Sequence, residues 1–356
     1  MLPNKEPLTQ IASELLKAKS VAICGHSHPD GDAIGSTLAI YLLCEALDIE
    51  ATPLIADDSI IPSRYDFMYG HDFLMPAARY NKRPQLFFSV DTATESRHGL
   101  ANNARKNAKR KVGIDHHDDD HSFLQTYFVD PSAAACGMIA WDFVKIAFDM
   151  ADQDPKFENV AAQREEYMPD IALACYTALF TDCGGFCYQN TDVAAFEYAS
   201  DMLKYGVDPS LVARKITQSM SIEESKLRTR IASRIEFVGD GDIALSYVTH
   251  KDFDECNLGF DEAEDLVSVL RVLDGIEAAL LLRESTDGAG IAIRGSMRAK
   301  DKWDVARFAR QHNGGGHVAA AGLTLRNVKM EEALEAMRTA LDAYAKEERA
   351  RLEEAE

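Results

Sequence analysis

The sequence predicts an α/β fold: an N-terminal domain on a mainly parallel sheet, a helical linker, and a smaller C-terminal α/β domain. Three observations support this. Apolar runs rich in β-branched residues alternate with stretches of helical spacing in the first half, helical patterns follow one another from 191 to 234, and strand patterns resume after 235. Strands that are apolar along their length are covered on both faces, as parallel strands are, and such sheets gather ligands at their carboxyl ends. At 356 residues the chain can bury two cores. The expected boundaries are 1–200, a linker at 201–236, and 237–356.

Residues 9–17 have amphipathic helical spacing and lead into a strand at 21–24; a helix over 33–47 and a strand at 52–55 complete a βαβ unit. The turn after the first strand reads Gly25-His26-Ser27-His28-Pro29-Asp30-Gly31-Asp32-Ala33-Ile34-Gly35-Ser36. Pro29 and Gly31 bend it, and Gly35 and Ser36 bring backbone N–H groups and a hydroxyl towards an anion. The plain alternative is a polar turn in which Asp30 or Asp32 caps the helix.

A third strand, Gln85-Leu86-Phe87-Phe88-Ser89-Val90-Asp91, ends in a carboxylate, and a fourth, Lys111-Val112-Gly113-Ile114-Asp115-His116-His117, ends in an acid and two histidines. Helical spacing returns over 133–150 and 169–180, the latter running into Thr181-Asp182-Cys183-Gly184-Gly185-Phe186. Helices at 191–205, 209–218 and 222–234 lead to strands at 243–248, 277–283 and 290–294, with a helix at 262–273 between the first two. A helix at 303–311, the loop Asn313-Gly314-Gly315-Gly316-His317, a short strand at Leu323 and a charged helix from Met330 finish the chain. Only the acidic end, 346–356, has a composition suggesting disorder.

With 46% hydrophobic and 27% charged residues the composition is that of a soluble globular protein. No targeting segment or membrane-length apolar run is read, so a cytoplasmic location is expected. The seven cysteines are mostly set among apolar neighbours and read as reduced thiols; Cys183 and Cys187 do not make a CxxC pair, and no second pair accompanies them. A net charge of −20 argues against a protein that coats long nucleic acid, because that binding needs clustered cations. Short substrates remain compatible, and the one basic cluster, 106–111, reads as a solvated helix end.

His26, Asp30, Asp32, Asp91, His116 and Asp182 each follow an apolar segment. Oxygen donors with two imidazoles and no thiolate favour Mn²⁺ or Mg²⁺ over structural zinc or iron–sulfur clusters. Six ligands exceed what one catalytic ion uses; two ions sharing a carboxylate fit, and such pairs activate water for attack on phosphorus. Arg294 and the glycine loop before His317 can grip phosphate, and His117 can protonate a leaving oxygen or hold a phosphoryl oxygen. Asp118-Asp119-Asp120-His121 reads as a solvated loop, His28 as a loop hydrogen-bonding residue, and His250 and His312 as surface or capping residues; His71 and His98 lack neighbouring acids.

The segments HSHPDGDAIGS, SVDTA, GIDHH and TDCGGF, followed by IAIRGS and GGGHVAAAG, resemble the DHH/DHHA1 phosphoesterases, and within them the oligoribonuclease and 3′-phosphoadenosine-5′-phosphate phosphatase group. The resemblance implies that His26, Asp30 and Asp91 hold one Mn²⁺ and that Asp32, Asp91, His116 and Asp182 hold the other, with Asp91 bridging. It implies that Asp91 and His116 are catalytic together with His117 on the scissile phosphate and with Asp115, which orients the histidines. Ser36, Arg294, Gly314, Gly315, Gly316 and His317 would contact substrate, in a cleft between the two domains. The chain departs from the family pattern at Met138, Cys187, Gly295 and Asn313, all within reach of the substrate pocket rather than the metal ligands.

The implied activity is hydrolysis of short RNA or DNA oligonucleotides to mononucleotides, and of 3′-phosphoadenosine-5′-phosphate to AMP, by water activated on two ions, Mn²⁺ before Mg²⁺. No membrane partner is implied, and a homodimer is left open. Alternatives are a cyclic di-AMP or pApA phosphodiesterase, a pyrophosphatase or exopolyphosphatase, and, in another class, a nucleotide-binding sensor without turnover.

Overall fold

A computed structural model describes residues 6–57, 61, 63–259, 265–287 and 290–354, without the side chains of 286–291. The chain forms two units, Met1–Ser219 and Met220–Glu356.

In the first unit, α1 (Glu6–Lys17) turns Leu8, Ile11, Ala12, Leu15 and Leu16 inward, the apolar stripe its spacing predicts. Then come β1 (Ser20–Cys24), α2 (Gly31–Ala46), β2 (Glu50–Ile55), β3 (Met75–Pro76), β4 (Leu86–Val90), α3 (Asn102–Asn107), β5 (Arg110–Asp115) and β6 (Thr126–Val129). α4 (Cys136–Ala151), α5 (Val160–Asp182), α6 (Val193–Leu203) and α7 (Pro209–Thr217) complete the unit. The six strands lie in the order β3-β2-β1-β4-β5-β6 and every pair is parallel. From β1 the chain winds outward through β2 and β3, returns to β4, and winds the other way. Sheets of this kind open a crevice at the carboxyl ends of the strands flanking that reversal, here β1 and β4.

β3 and β6 escape the sequence reading because one has two residues and the other, Thr-Tyr-Phe-Val, is only half buried. α5 begins at Val160, nine residues before the expected start at Pro169, which lies inside the helix. Pro169 is exposed, and the buried run from Ile171 to Phe180 outweighs the hydrogen bond it removes. α4 starts three residues late, since Ala135 is extended at φ −157°.

Glycines set how closely α2, α4 and α5 meet. A Cβ at Gly31 would stand 2.4 Å from the Thr181 side chain, one at Gly35 2.4 Å from the Ala174 carbonyl oxygen, and one at Gly137 2.5 Å from Ala178 Cβ. α2 and α4 thus pack closely against α5.

The second unit comprises α8 (Ile222–Ser233), β7 (Glu236–Val238), β8 (Ile243–Val248), α9 (His250–Cys256), α10 (Ser268–Arg271), β9 (Ala278–Asp287), β10 (Gly290–Ala299), α11 (Val305–Gln311), β11 (Gly315–His317), β12 (Ala320–Arg326) and α12 (Met330–Glu353). Its sheet has the order β11-β12-β10-β9-β8-β7; only β8 and β9 pair in parallel. The expected linker helices are divided: Val212 of α7 joins the first unit's core, whereas Leu227 and Ile231 of α8 join the second's.

Three expectations change. The loop at 313–317 contains a strand, β11, paired to β12. The helix expected over 262–273 is confined to α10 where described, with 262–264 outside the described residues. The acidic end is helical to Glu353, because Glu348 is fully buried and pairs with Arg307 at 2.8 Å and Arg351 at 2.7 Å.

Gly35→Ala should cost about 1–3 kcal/mol in urea unfolding, because its methyl meets a backbone carbonyl that cannot step aside. Gly206→Ala, with open space around it but φ +91°, is the comparison for backbone strain alone.

Candidate metal centre

The six expected ligands converge at the carboxyl edge of the first unit's sheet. His26 and Asp30 follow β1, Asp91 follows β4, His116 follows β5, Asp32 lies in the first turn of α2, and Asp182 ends α5. They form two groups, His26 with Asp30 and Asp91, and Asp32 with His116 and Asp182, whose ligand atoms lie within 4.8 Å of one another in each group. His117 joins Asp91 and His116 in a third such group.

Asp91 stands between the two groups. Its Oδ2 is 3.5 Å from His26 Nε2 and its Oδ1 is 3.5 Å from His116 Nε2. Asp91 is 2% exposed, and its Oδ1 makes no hydrogen bond. Its backbone has φ +48°, a left-handed conformation that only a surrounding structure maintains in a residue other than glycine.

Both imidazoles are tethered through their other nitrogen. His26 Nδ1 is 2.9 Å from the Ser27 carbonyl oxygen and His116 Nδ1 is 3.2 Å from that of Ala133. A carbonyl only accepts, so each Nδ1 donates and each Nε2 faces the carboxylates, the usual arrangement for metal-ligating histidines.

Asp30 serves the functional and the plain reading together: its Oδ1 accepts from the N–H groups of Asp32 and Ala33, capping α2, and lies 3.7 Å from His26 Nε2. Asp32 reaches a different helix. Its oxygens accept from Cys136 N at 2.7 Å and Gly137 N at 2.9 Å, the unpaired donors of the first turn of α4, whose own N-cap, Ala135, offers no side chain. Ser36, expected to contact substrate, is fully buried and donates to Asp32 Oδ1 at 3.1 Å. Asp182 sits at the carboxyl end of α5, where the helix dipole disfavours an anion.

The electrostatics follow from this crowding. Burial, with Asp91 and Asp182 adding repulsion, raises the Asp32 pKa well above the carboxylate range. Burial, reinforced by Asp30 and Asp91, raises Asp182 to about 7 against the pull of His116. Burial opposes the imidazolium forms, but Asp30 and Asp91 raise His26 to about 9, and Asp91 and Asp32 raise His116 to about 10. Divalent cations would balance this crowded negative charge better than protons do.

Asp115 belongs to none of these three groups. Its Oδ1 accepts from the backbone N–H groups of His116 and His117 and from His117 Nδ1 at 2.8 Å, and its Oδ2 lies 2.8 Å from His121 Nε2. Burial alone would raise its pKa, but these bonds from His117 and His121 hold it below the carboxylate range. His117 Nδ1 is thereby occupied, and it also lies 3.5 Å from Asp91 Oδ1.

His121, grouped in the sequence reading with a solvated loop, is instead 2% exposed, although Asp118, Asp119 and Asp120 are exposed as expected. His98, set aside earlier, is fully buried against Ser89 Oγ at 2.9 Å on β4. The signal for both was apolar or aromatic neighbours, Phe123 for one and Leu100 for the other, too weak to decide alone.

In the second unit Arg294, Gly316 and His317 are exposed. Arg294 lies on β10 opposite Thr324 of β12, and β12 pairs on its other edge with Gly315–His317. A Cβ at Gly314 would stand 2.0 Å from the Gly322 carbonyl oxygen, so close backbone packing explains that glycine. Asn313 has φ +56°, a conformation asparagine shares with glycine. At Gly295 a Cβ would stand 2.8 Å from Leu323, so a larger residue is excluded by that neighbour. Met138 is buried in α4 and Cys187 is exposed.

Comparison with known proteins gives the family. The family model "DHH family, N-terminal domain" matches residues 20–179 and the "DHHA1 domain" model matches 245–347. The chain is 26% identical to the bifunctional oligoribonuclease and PAP phosphatase NrnA of Thermus thermophilus, over 92% of this chain and 91% of that protein. It is 22% identical to the cyclic-di-AMP phosphodiesterase PdeA of Listeria monocytogenes, over 96% of this chain but 50% of that protein. An exopolyphosphatase-related protein from Bacteroides fragilis shares the fold, with a TM-score of 0.82, 22% identity, and coverage of 96% of this chain and 97% of that one. With both domains present in that order, the chain belongs to the DHH/DHHA1 phosphoesterases, a family of hydrolases.

Proposed function

We propose that the protein hydrolyses very short oligonucleotides to mononucleotides and removes a phosphate from 3′-phosphoadenosine-5′-phosphate, using two divalent cations, Mn²⁺ in preference to Mg²⁺. The observation that carries this reading is Asp91, whose two oxygens address two separate ligand groups and one of which is buried without a hydrogen bond. Alignment with an oligoribonuclease and PAP phosphatase over nearly the full length of both chains supports the substrate class.

His26, Asp30 and Asp91 would hold one ion, and Asp32, Asp91, His116 and Asp182 the other. Bound cations supply a lowered pKa for water and charge for the phosphoryl oxygens. His26 and His116 present Nε2 because Nδ1 is tied to a carbonyl. His117, held through Nδ1 by Asp115, offers Nε2 to a phosphate or leaving oxygen. Arg294 and the segment 314–317 would contribute the second unit's phosphate contacts. No described helix is long and apolar enough to cross a membrane, and we place the enzyme in the cytoplasm.

Asp91→Asn is the clean test, since asparagine accepts φ +48° where alanine would add strain. Turnover should fall about 1000-fold, the several kcal/mol expected from losing a shared metal ligand, with the fold retained by circular dichroism. Activity within tenfold of the parent would end the two-ion reading.

Metal binding should release protons. His26 and His116, with pKa values raised to about 9 and 10, are protonated at pH 7 in the metal-free chain and must lose those protons to coordinate. Calorimetry in buffers of different ionisation enthalpy should record at least two protons released at pH 7, those of His26 and His116 with a further contribution from Asp182, and affinity should rise as pH increases towards 9. Pairing without release would show that the imidazoles are not ligands.

A panel of RNAs of two to five nucleotides, 3′-phosphoadenosine-5′-phosphate, cyclic di-AMP and pApA, assayed with Mn²⁺ and resolved by mass, should give fastest turnover of the short RNAs. Preference for the cyclic dinucleotide would reassign the substrate, and binding without products would identify a sensor.

A further inference from the structure

We propose that His121 is a positioning residue of the hydrolytic site: an imidazolium clamped between the Asp119 carbonyl and the Asp115 carboxylate that fixes Asp115 and, through it, the ring of His117. The inference deepens the phosphoesterase reading and rests on it.

The geometry allows one protonation state. His121 Nδ1 is 2.8 Å from the Asp119 carbonyl oxygen and its Nε2 is 2.8 Å from Asp115 Oδ2. A carbonyl can only accept. Three N–H donors on Asp115 Oδ1, from His116 N, His117 N and His117 Nδ1, favour the ionised carboxylate, so its Oδ2 is an acceptor as well. Both ring nitrogens of His121 therefore donate, and a histidine that donates twice is charged.

The ring is held as firmly as its hydrogen bonds. It is 2% exposed, lies stacked with Tyr127 at 5.7 Å between centroids, and stands 5.9 Å from Phe123. Phe123 is in turn braced by the His98 ring at 5.5 Å. Asp115 is thus gripped on one oxygen by a rigid buried cation and aims the other at His117. Without His121, Oδ2 would lose its only hydrogen bond among the described residues, and the carboxylate could turn about its Cβ–Cγ bond. The His117 ring would lose its fixed orientation, while His116, losing only a bond to its backbone N–H, would stay tethered through Nδ1 to the Ala133 carbonyl. His121 touches neither substrate nor metal in this scheme and acts through Asp115.

Three measurements on the full-length protein test this. Two-bond ¹H–¹⁵N correlation spectra of the metal-free protein at pH 7 should show His121 with both nitrogens protonated and His117 with its proton on Nδ1. His121→Phe, which keeps the stacking and removes both donors, should lower kcat about 10- to 100-fold on the fastest substrate with KM within about twofold, and should erase the fixed His117 tautomer. His121→Gln, which returns one donor to Asp115, should recover kcat to within about threefold of the parent, the loss of charge assistance in one bond.

An unprotonated nitrogen on His121 overturns the proposal, as does a folded His121→Phe enzyme with parental kcat or an unchanged His117 tautomer. If His121→Phe does not fold, the spectrum of the parent and the kcat of His121→Gln decide. A parent that turns over nothing in the panel sinks the proposed function instead, and the spectra still judge His121.

Discussion

Mutual repulsion of buried carboxylates is the constraint on which the N-terminal unit depends. Asp32 and Asp182 arrive from α2 and α5, Asp91 follows β4 and meets Asp30, and within each of these two ligand groups the oxygens lie inside 4.8 Å. At that separation each pair of full charges costs about 3 kcal/mol with an effective dielectric of 20. The chain meets part of this with the first-turn N–H groups of α4 on Asp32 and part with protonated His26 and His116. It does not remove the acids, and Asp91 Oδ1 stays without a hydrogen bond. A fold optimised only for stability would replace such a cluster with apolar packing. Its retention makes sense if divalent cations complete the site.

The backbone serves that cluster in two ways. Reversal of winding between β1 and β4 leaves no helix over their carboxyl ends, so the His26–Asp30 loop and Asp91 share one crevice. Glycines then let α5 approach α2 and α4 so closely that Asp182 at its end comes within reach of Asp32. Gly31 and Gly35, four residues apart on one face of α2, act as packing surfaces as well as parts of a turn, a role their place in a metal-seeking loop conceals.

What could be read from the residues follows from how local each signal was. An apolar run that ends in an acid or histidine is a feature of five to seven residues, and it located all six converging side chains and four of the six strands in the first sheet. The partners of Asp32 are 104 and 105 residues away on α4, and nothing near Cys136 announces that an acid from another helix will cap it. His121 was misread because its three neighbours are acidic and exposed while the ring itself turns inward, a difference of direction that charge patterning cannot show. The start of α5 was misjudged because proline was taken as a boundary, and the acidic tail because Glu348 looks solvated until its arginines, Arg307 and Arg351, are found around it.

Charge also bounds what the site can accept. With a net charge of −20 the protein repels a polyphosphate chain along most of its length, so phosphate is attracted only where positive charge is concentrated. Two divalent cations would supply four positive charges at the carboxyl edge of one sheet, and Arg294 and His317 lie exposed on the other. Cations held at the first unit's sheet would attract a phosphate that the net charge otherwise repels. The departures at Gly295 and Asn313 do not disturb it, since one is matched by the bulk of Leu323 and the other keeps the left-handed backbone a glycine would adopt. The proposed preference for very short substrates is consistent with this charge balance, before any side chain reads a base.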